Sequence, residues 1–251
     1  MFNIVNGNNQ KANYDLNELS DTAPVNYPSE GGGHYSEEEY GRIADNIKYG
    51  IRQINLSESY INSLLGVLEA NLSFVPSSSD TRQLADISLF DHMKVTAAVG
   101  SCLLRYLNDR GTDNYRKEVF ESANELYDEN IFYLYSMDMS GIQNFIYSVD
   151  NSGALKGLRA KSFYLEIMLE HIIDELLERL GLSRANLIYS GGGHAYILLP
   201  ATESVEMILT EFNEELRKWC MNSFGTELYT AAGYTACSAN ALMNKPEGAY
   251  E

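Results

Sequence analysis

The residues that could do chemistry gather in a few places. Ser190, Gly191, Gly192, Gly193 and His194 lie between two strand-like runs, ANLIYS and HAYILLP. Asp138, Ser140 and Gly141 follow the aromatic-rich run IFYLYSM. Lys156, Arg159 and Lys161 crowd the segment GALKGLRAKSF, and Asp91-His92 sits at the start of a helix-like stretch. A glycine run beside a strand serves one of two ends: a turn that needs positive φ, or close approach of a ligand to bare backbone. Both readings stand, because a three-residue hairpin connection needs one such residue and this one offers three glycines. An aspartate at a strand end is either a turn residue or a metal ligand, and magnesium beside a triphosphate requires two carboxylates. Here Asp138 is alone and His194 stands where the second acid belongs, so a two-metal centre is incomplete. The basic trio, at a loop-to-helix junction, suits a phosphate or a partner's acidic patch, or is an ordinary solvated helix start. Asp91 and His92 are metal candidates with Asp86 as the nearest further ligand; the alternative is that Asp91 caps its helix.

These groups are positioned by elements legible as periodicity. Residues 1–35 are a polar lead-in punctuated by NGNN, Pro24, Pro28 and Gly31–Gly33, the last read as a flexible loop. Residues 36–128 read as helical. Ser36 with Glu39 makes a capping box, and Tyr40, Ile43, Ile47 and Ile51 form one apolar face. Further helices are expected after Ser57, over 89–107 and, more weakly, over 114–127. Residues 130–251 change character, with strands at 131–137, 185–190, 194–200 and from 226, and long amphipathic helices over 158–180 and 203–221. The first of these helices has Phe163, Leu165, Leu169, Ile172 and Ile173 on its apolar face. The order β-α-β-β-α-β is ferredoxin-like, giving an α+β palm preceded by a small all-helical domain. We expect both long helices on one face of an antiparallel sheet, and the two hairpin strands as its central pair.

Composition narrows the partners. The 251 residues are 45% apolar, as in a folded globular chain. With 35 acidic and 18 basic residues the net charge is -17, which excludes nucleic-acid binding through a broad basic face and suits a basic protein partner. Cys102, Cys220 and Cys237 are too far apart for a disulfide framework or a zinc set and read as buried thiols. No signal-like start and no long apolar run is visible, so a cytoplasmic, non-membrane setting is expected.

One long stretch adds a resemblance. MDMSGIQNFIYSVDNSGALKGLRAKSFYLEIMLEHIIDELLERLGLSRANLIYSGGGHAYILLP is similar to the first palm domain of the Cas10 large subunit, Csm1 type, of type III-A CRISPR effector complexes. LEANLSFVPSSSDTRQLADISLFDHMKVTAAVGSCL, the starting MFNIVNGNNQ and the late CSANALMNKP extend the likeness across nearly the whole chain. The resemblance implies a multidomain antiviral protein. In it an HD-type nuclease region acts on single-stranded DNA, and two GGDEF/cyclase-like palms make cyclic oligoadenylate from ATP with Mg2+ or Mn2+ when target RNA is bound. It implies that Ser190 and Gly191–Gly193 form the hairpin near the nucleotide, with Asp138, Ser140 and Gly141 in the loop beside it; from their own position at the helix start, Lys156 and Arg159 are expected in reach of its phosphates. Asp91 and His92 match the late nuclease region. The second palm of that family carries a GGDD motif; no GGDD occurs here, and the upstream His-Asp motif is also missing. The expectation is a piece: helices of the HD-type region over 36–128 and the first palm over 130–251. Alone it would be inactive and without cofactor. It would help to bind ATP once paired with a second palm and other effector subunits, with guide and target RNA met indirectly. The alternative is a purely structural packing module of the same complex.

Overall fold

Ser36 starts the first helix as its capping box requires. Its hydroxyl accepts from the Glu39 N–H at 3.2 Å, and the Glu39 carboxylate accepts from the Ser36 N–H at 2.9 Å. Helix α1 then runs Glu37–Arg52, with acids in its first turn and Arg52 in its last, both favourable to the helix dipole. Helix α2 is Ile61–Leu72, starting later than its sequence suggested, and α3 is Leu89–Asp109. This computed structural model describes residues 12–21, 24–30, 35–55, 57, 60–78, 86–148 and 154–246. Gly31–Gly33, read above as a loop, lie outside them.

The chain forms two compact units, residues 1–97 and 98–251, and the division falls within α3. In the first unit Leu16, Ile43, Leu72, Val75 and Phe90 make a small core. Leu16 comes from the polar lead-in. It is held there because the Leu19 N–H donates to the Ala70 carbonyl at 2.7 Å and Arg42 donates to the Leu16 carbonyl at 3.3 Å. The larger apolar residues here, Tyr14, Leu16 and Leu19, are too few to sustain a period, so the sequence gives no sign of this packing.

The second unit holds the sheet. After α3, a π-helical turn at Lys117–Glu121 and a short α4, Ala123–Asp128, replace the single helix expected over 114–127. Strand β1, Phe132–Ser140, leads into the short α5, Ile142–Tyr147, and the long α6, Ala154–Arg179. Strands β2, Leu187–Gly191, and β3, His194–Pro200, form a hairpin; α7, Glu203–Phe224, β4, Tyr229–Cys237, and α8, Ala239–Leu242, complete the unit. The sheet is antiparallel in the order β2-β3-β1-β4. This is the ferredoxin-like palm, with one correction. The hairpin strands are not the central pair: β3 is central beside β1, and β2 is an edge, because the β1-to-β2 crossover skips the position that β3 then fills.

Alternation along β1 assigns the two faces. Tyr133, Tyr135, Met137 and Met139 are buried under α6 and α7 in one core with Leu169, Ile173, Leu176, Leu209 and Phe212. Both long helices thus cover one face, as their amphipathicity demands. Phe163, assigned to that core by its spacing, is instead 68% exposed. On the opposite face Phe132 and Leu198 are covered by Ala98, Cys102 and Leu107 of α3 and by Leu126. Polar groups pin α3 there. The Asn186 amide donates to the Leu198 carbonyl at 3.0 Å and to Ser101 Oγ at 3.2 Å, and Arg105 donates to the Leu180 carbonyl just past the end of α6. Burial pushes the Cys102 thiol up to about 12. Cys220 is buried too, whereas Cys237 is half-buried. Among the described residues no helix is long and apolar enough to cross a membrane.

Candidate functional site

The uncovered end of that second face is where the strand-end groups meet. Asp138 lies directly across from His194 on β3 and from Ala231 on β4. Its two oxygens are both engaged: Oδ1 is 3.0 Å from His194 Nε2, and Oδ2 accepts from the Ser140 hydroxyl at 2.6 Å. Asp138 and His194 remain partly open to solvent, so the pair is a surface pair of modest strength. Gly141, in the left-handed region at φ 90°, turns the chain from β1 into α5. A Cβ there would come within 2.0 Å of the Glu227 carbonyl oxygen, so glycine is required.

The hairpin turn uses two residues, not three. Gly192 and Gly193 have φ 60° and 90°, the positive pair that a tight two-residue hairpin turn needs, and Gly191 belongs to β2. Each glycine answers to a different neighbour. A Cβ on Gly193 would meet Ile142 Cδ1 at 2.3 Å, one on Gly191 would meet the Tyr189 hydroxyl at 3.0 Å, and one on Gly192 would meet nothing within 4 Å. The Gly193 carbonyl accepts from the Met139 N–H at 2.8 Å, which fastens the turn to the end of β1. Asp138, Ser140, Gly141 and Gly191–Gly193 are therefore brought together as the sequence suggested.

Other candidates are not. Ser190 pairs with Ala195, whose side chain lies in the helix-side core, and its hydroxyl donates to Glu170 of α6 at 3.0 Å. It faces away from Asp138. Glu170 also binds Arg184, which reaches Asp174 as well, so Ser190 joins an ion-pair group on the helix side. Lys156 and Arg159 are exposed on the first turns of α6. Lys161 is occupied: its ammonium donates to the Phe145 carbonyl at 2.8 Å, the Ser148 carbonyl at 2.9 Å and the Ser148 hydroxyl at 2.8 Å. In the first unit, Asp91 is the reciprocal partner of a cap. Its N–H donates to Ser88 Oγ at 3.0 Å and its carboxylate accepts from the same hydroxyl at 2.7 Å, while His92 is exposed. Among the described residues no group of three or more His, Cys, Asp or Glu is arranged to hold a metal ion.

Sequence reasoning missed the floor of the site. Leu134, Ser136, Asp138, Tyr196, Ala231, Gly233 and Thr235 line an open recess of about 530 Å³ on this face. Tyr196 brings its ring to this lining, and its register partner on β2, Tyr189, has its ring centre 6.2 Å away. On β4 the residues facing the recess are small, so a flat group could lie close to the sheet. The signal was available as alternation, since Ser136 and Asp138 share a face with every residue paired to them.

A family model described as Csm1 subunit domain B matches residues 131–251. The subtype III-A CRISPR single-strand-specific deoxyribonuclease Cas10/Csm1 of Mycobacterium tuberculosis is 45% identical over 246 residues, covering 98% of this chain and 30% of that protein. Its Enterococcus italicus counterpart is 42% identical over 249 residues, covering 97% and 33%. A crystal structure of a Csm1–Csm4 cassette in complex with AMPPNP has a TM-score of 0.75 at 30% identity, covering 92% of this chain and 30% of that one. One in complex with cA4 has a TM-score of 0.72 at 30% identity, covering 90% and 29%. The chain spans about a third of the length of the curated relatives it matches. With the helix-backed antiparallel palm and the Asp138 hairpin site, these likenesses extend over nearly all of the sequence: the chain belongs to the Cas10/Csm1 family of type III-A CRISPR systems, of which it represents one region.

Proposed function

We propose that this chain contributes half of a nucleotide site: a degenerate palm that helps to bind ATP for cyclic oligoadenylate synthesis within a type III-A effector complex, and that is inactive by itself. The observation that carries the reading is the meeting of the Asp138–Ser140–Gly141 loop and the Gly192–Gly193 turn at an open sheet recess. Relatives of this fold are crystallised with AMPPNP, cA4 and pppApA, which supports an adenine nucleotide as the ligand class. In this reading 36–128 are helices of the HD-type region and 130–251 the first palm. Partners are a second palm, a Csm4-type subunit and, through the complex, guide and target RNA, in the cytoplasm.

The residues fit a nucleotide better than they fit its metals. Tyr189 and Tyr196 offer aromatic faces to a base, the small β4 residues leave room for it, and Gly192 leaves its backbone approachable. Asp138 is the one carboxylate among the residues lining the recess. Mg2+ or Mn2+ bound with ATP would supply charge neutralisation at the triphosphate, and the second carboxylate would come from the other palm. Ser140 and His194 hold Asp138 in a fixed orientation for a shared site.

A second reading, a packing module without a ligand, draws on the same recess, because an apolar sheet face also seeks a protein cover. Calorimetric titration of ATP into the assembled complex separates the two. The nucleotide reading expects Tyr196→Ala to weaken ATP binding about tenfold, about 1.4 kcal/mol, with the complex intact. Unchanged ATP affinity together with a weakened subunit interface would favour packing.

A further inference from the structure

We propose that Lys161 is a positioning residue of the nucleotide half-site: it anchors the far end of α5 and, through that helix, holds the Ser140–Gly141 loop against the hairpin turn. The inference rests on the nucleotide reading above. A lysine ammonium has three hydrogens to donate. Here three acceptors receive them, the Phe145 carbonyl, the Ser148 carbonyl and the Ser148 hydroxyl. These acceptors lie at the C-terminal end of α5, where helix carbonyls lack intrahelical partners and the dipole is negative. The ammonium also stands 4.8 Å from the centre of the Phe145 ring. Lys161 could meet a phosphate only by giving up these bonds, so its role differs from that of the exposed Lys156 and Arg159.

Helix α5 is the rod that carries this anchor to the site. It has 6 residues, too few to be stable without outside contacts. Its first residue, Ile142, packs against Gly193 of the turn so closely that a Cβ there would overlap it. Its N-terminal neighbour is Gly141, wedged against the Glu227 carbonyl. Near its other end Phe145 packs on Tyr164 and Phe224, and Phe224 packs on Trp219. One end of α5 is thus fixed by the turn and the other by Lys161 and an aromatic group. Loosening the second end frees the loop that carries Ser140, and Asp138 loses a hydroxyl that orients it.

The chain has a single tryptophan, Trp219, so its fluorescence reports on that aromatic group without added labels. We would compare Lys161→Met, Lys161→Arg and, as a control, the exposed Lys218→Met, each in this 251-residue chain and in the complete subunit carrying both palms. The readouts are Trp219 quenching by acrylamide in the 251-residue chain, where it is the single tryptophan, and hydrogen exchange over 138–148 and ATP affinity as a function of salt in the complete subunit. Lys161→Met is expected to raise quenching and exchange at least about twofold and to weaken ATP binding about tenfold, with an unchanged salt slope because no phosphate contact is lost. Lys161→Arg, which keeps charge and donors, should recover most of the affinity, and Lys218→Met should change none of these. A weakened ATP affinity with a reduced salt slope and unchanged exchange would make Lys161 a phosphate ligand and overturn the proposal. So would faster exchange with unchanged ATP affinity, which would leave it a purely structural cap. If the unaltered subunit fails to bind ATP, the nucleotide reading falls by itself, and exchange over 138–148 alone still decides whether Lys161 anchors α5.

Discussion

Gly192 and Gly193 are chemically identical neighbours whose replacement should have different consequences. At Gly193 an added methyl group collides with Ile142, and at Gly141 it collides with a backbone oxygen. Either alanine substitution should lower unfolding free energy by about 2–4 kcal/mol, measured by urea titration. At Gly192 the space is open, so Gly192→Ala carries only the left-handed backbone cost, about 1–2 kcal/mol. If a nucleotide lies against this turn, Gly192→Val in the assembled complex should still fold and should bind ATP at least about tenfold more weakly. Equal ATP affinity in a folded Gly192→Val complex would remove the turn from the site. Sequence alone saw the glycines, Asp138 and Ser140 correctly as neighbours, since strand ends in this topology converge. It could not see that two of the glycines answer to the turn itself, or that Ser190 points to Glu170, because a shift of one residue reverses a strand's face.

Among the elements, α3 and the sheet are tied by groups whose protonation matters. Cys102 on α3 is fully buried, and its thiol rises from 9.0 to about 12, through burial first. The stability this contributes is fully present below pH 9 and is lost as pH climbs through about 12. Tyr135 on β1 is raised in the same direction, again by burial, so alkaline unfolding has more than one source. We expect the denaturation midpoint to fall between pH 8 and pH 10.5, with Cys102 responsible for up to about 2 kcal/mol. Cys102→Ala should lower stability at pH 8 yet give a shallower decline; identical slopes in both proteins would exclude Cys102 as a source. The elements themselves were largely legible. The capping box at Ser36, the amphipathic α6 and α7, and the β-α-β-β-α-β order all follow from spacing and local chemistry. What stayed hidden was non-local: Leu16 joining a core from a polar segment, and α3 serving two cores along one helix.

For the whole molecule, the net charge of -17 and the single carboxylate lining the recess suit the proposed half-site, which would work only in company. Incubated alone with ATP, Mg2+ or Mn2+ and labelled single-stranded DNA, the chain should give neither cyclic products nor cleavage above a heat-killed control. Either product would mean that a metal centre forms without the second palm. Association with a basic partner subunit should weaken as salt rises, since exposed charges are screened over about 10 Å at 0.1 M. The sheet's outer edge carries a different consequence. Strand β4 pairs with β1 along all 9 of its residues without a bulge, and its sequence YTAAGYTAC has no Lys, Glu or Pro to discourage a newcomer. Stored as a free chain at high concentration, the protein should slowly grow thioflavin-positive ribbons from this edge. Thr235→Lys, a single gatekeeper charge, should lengthen their lag time severalfold while leaving the fold intact.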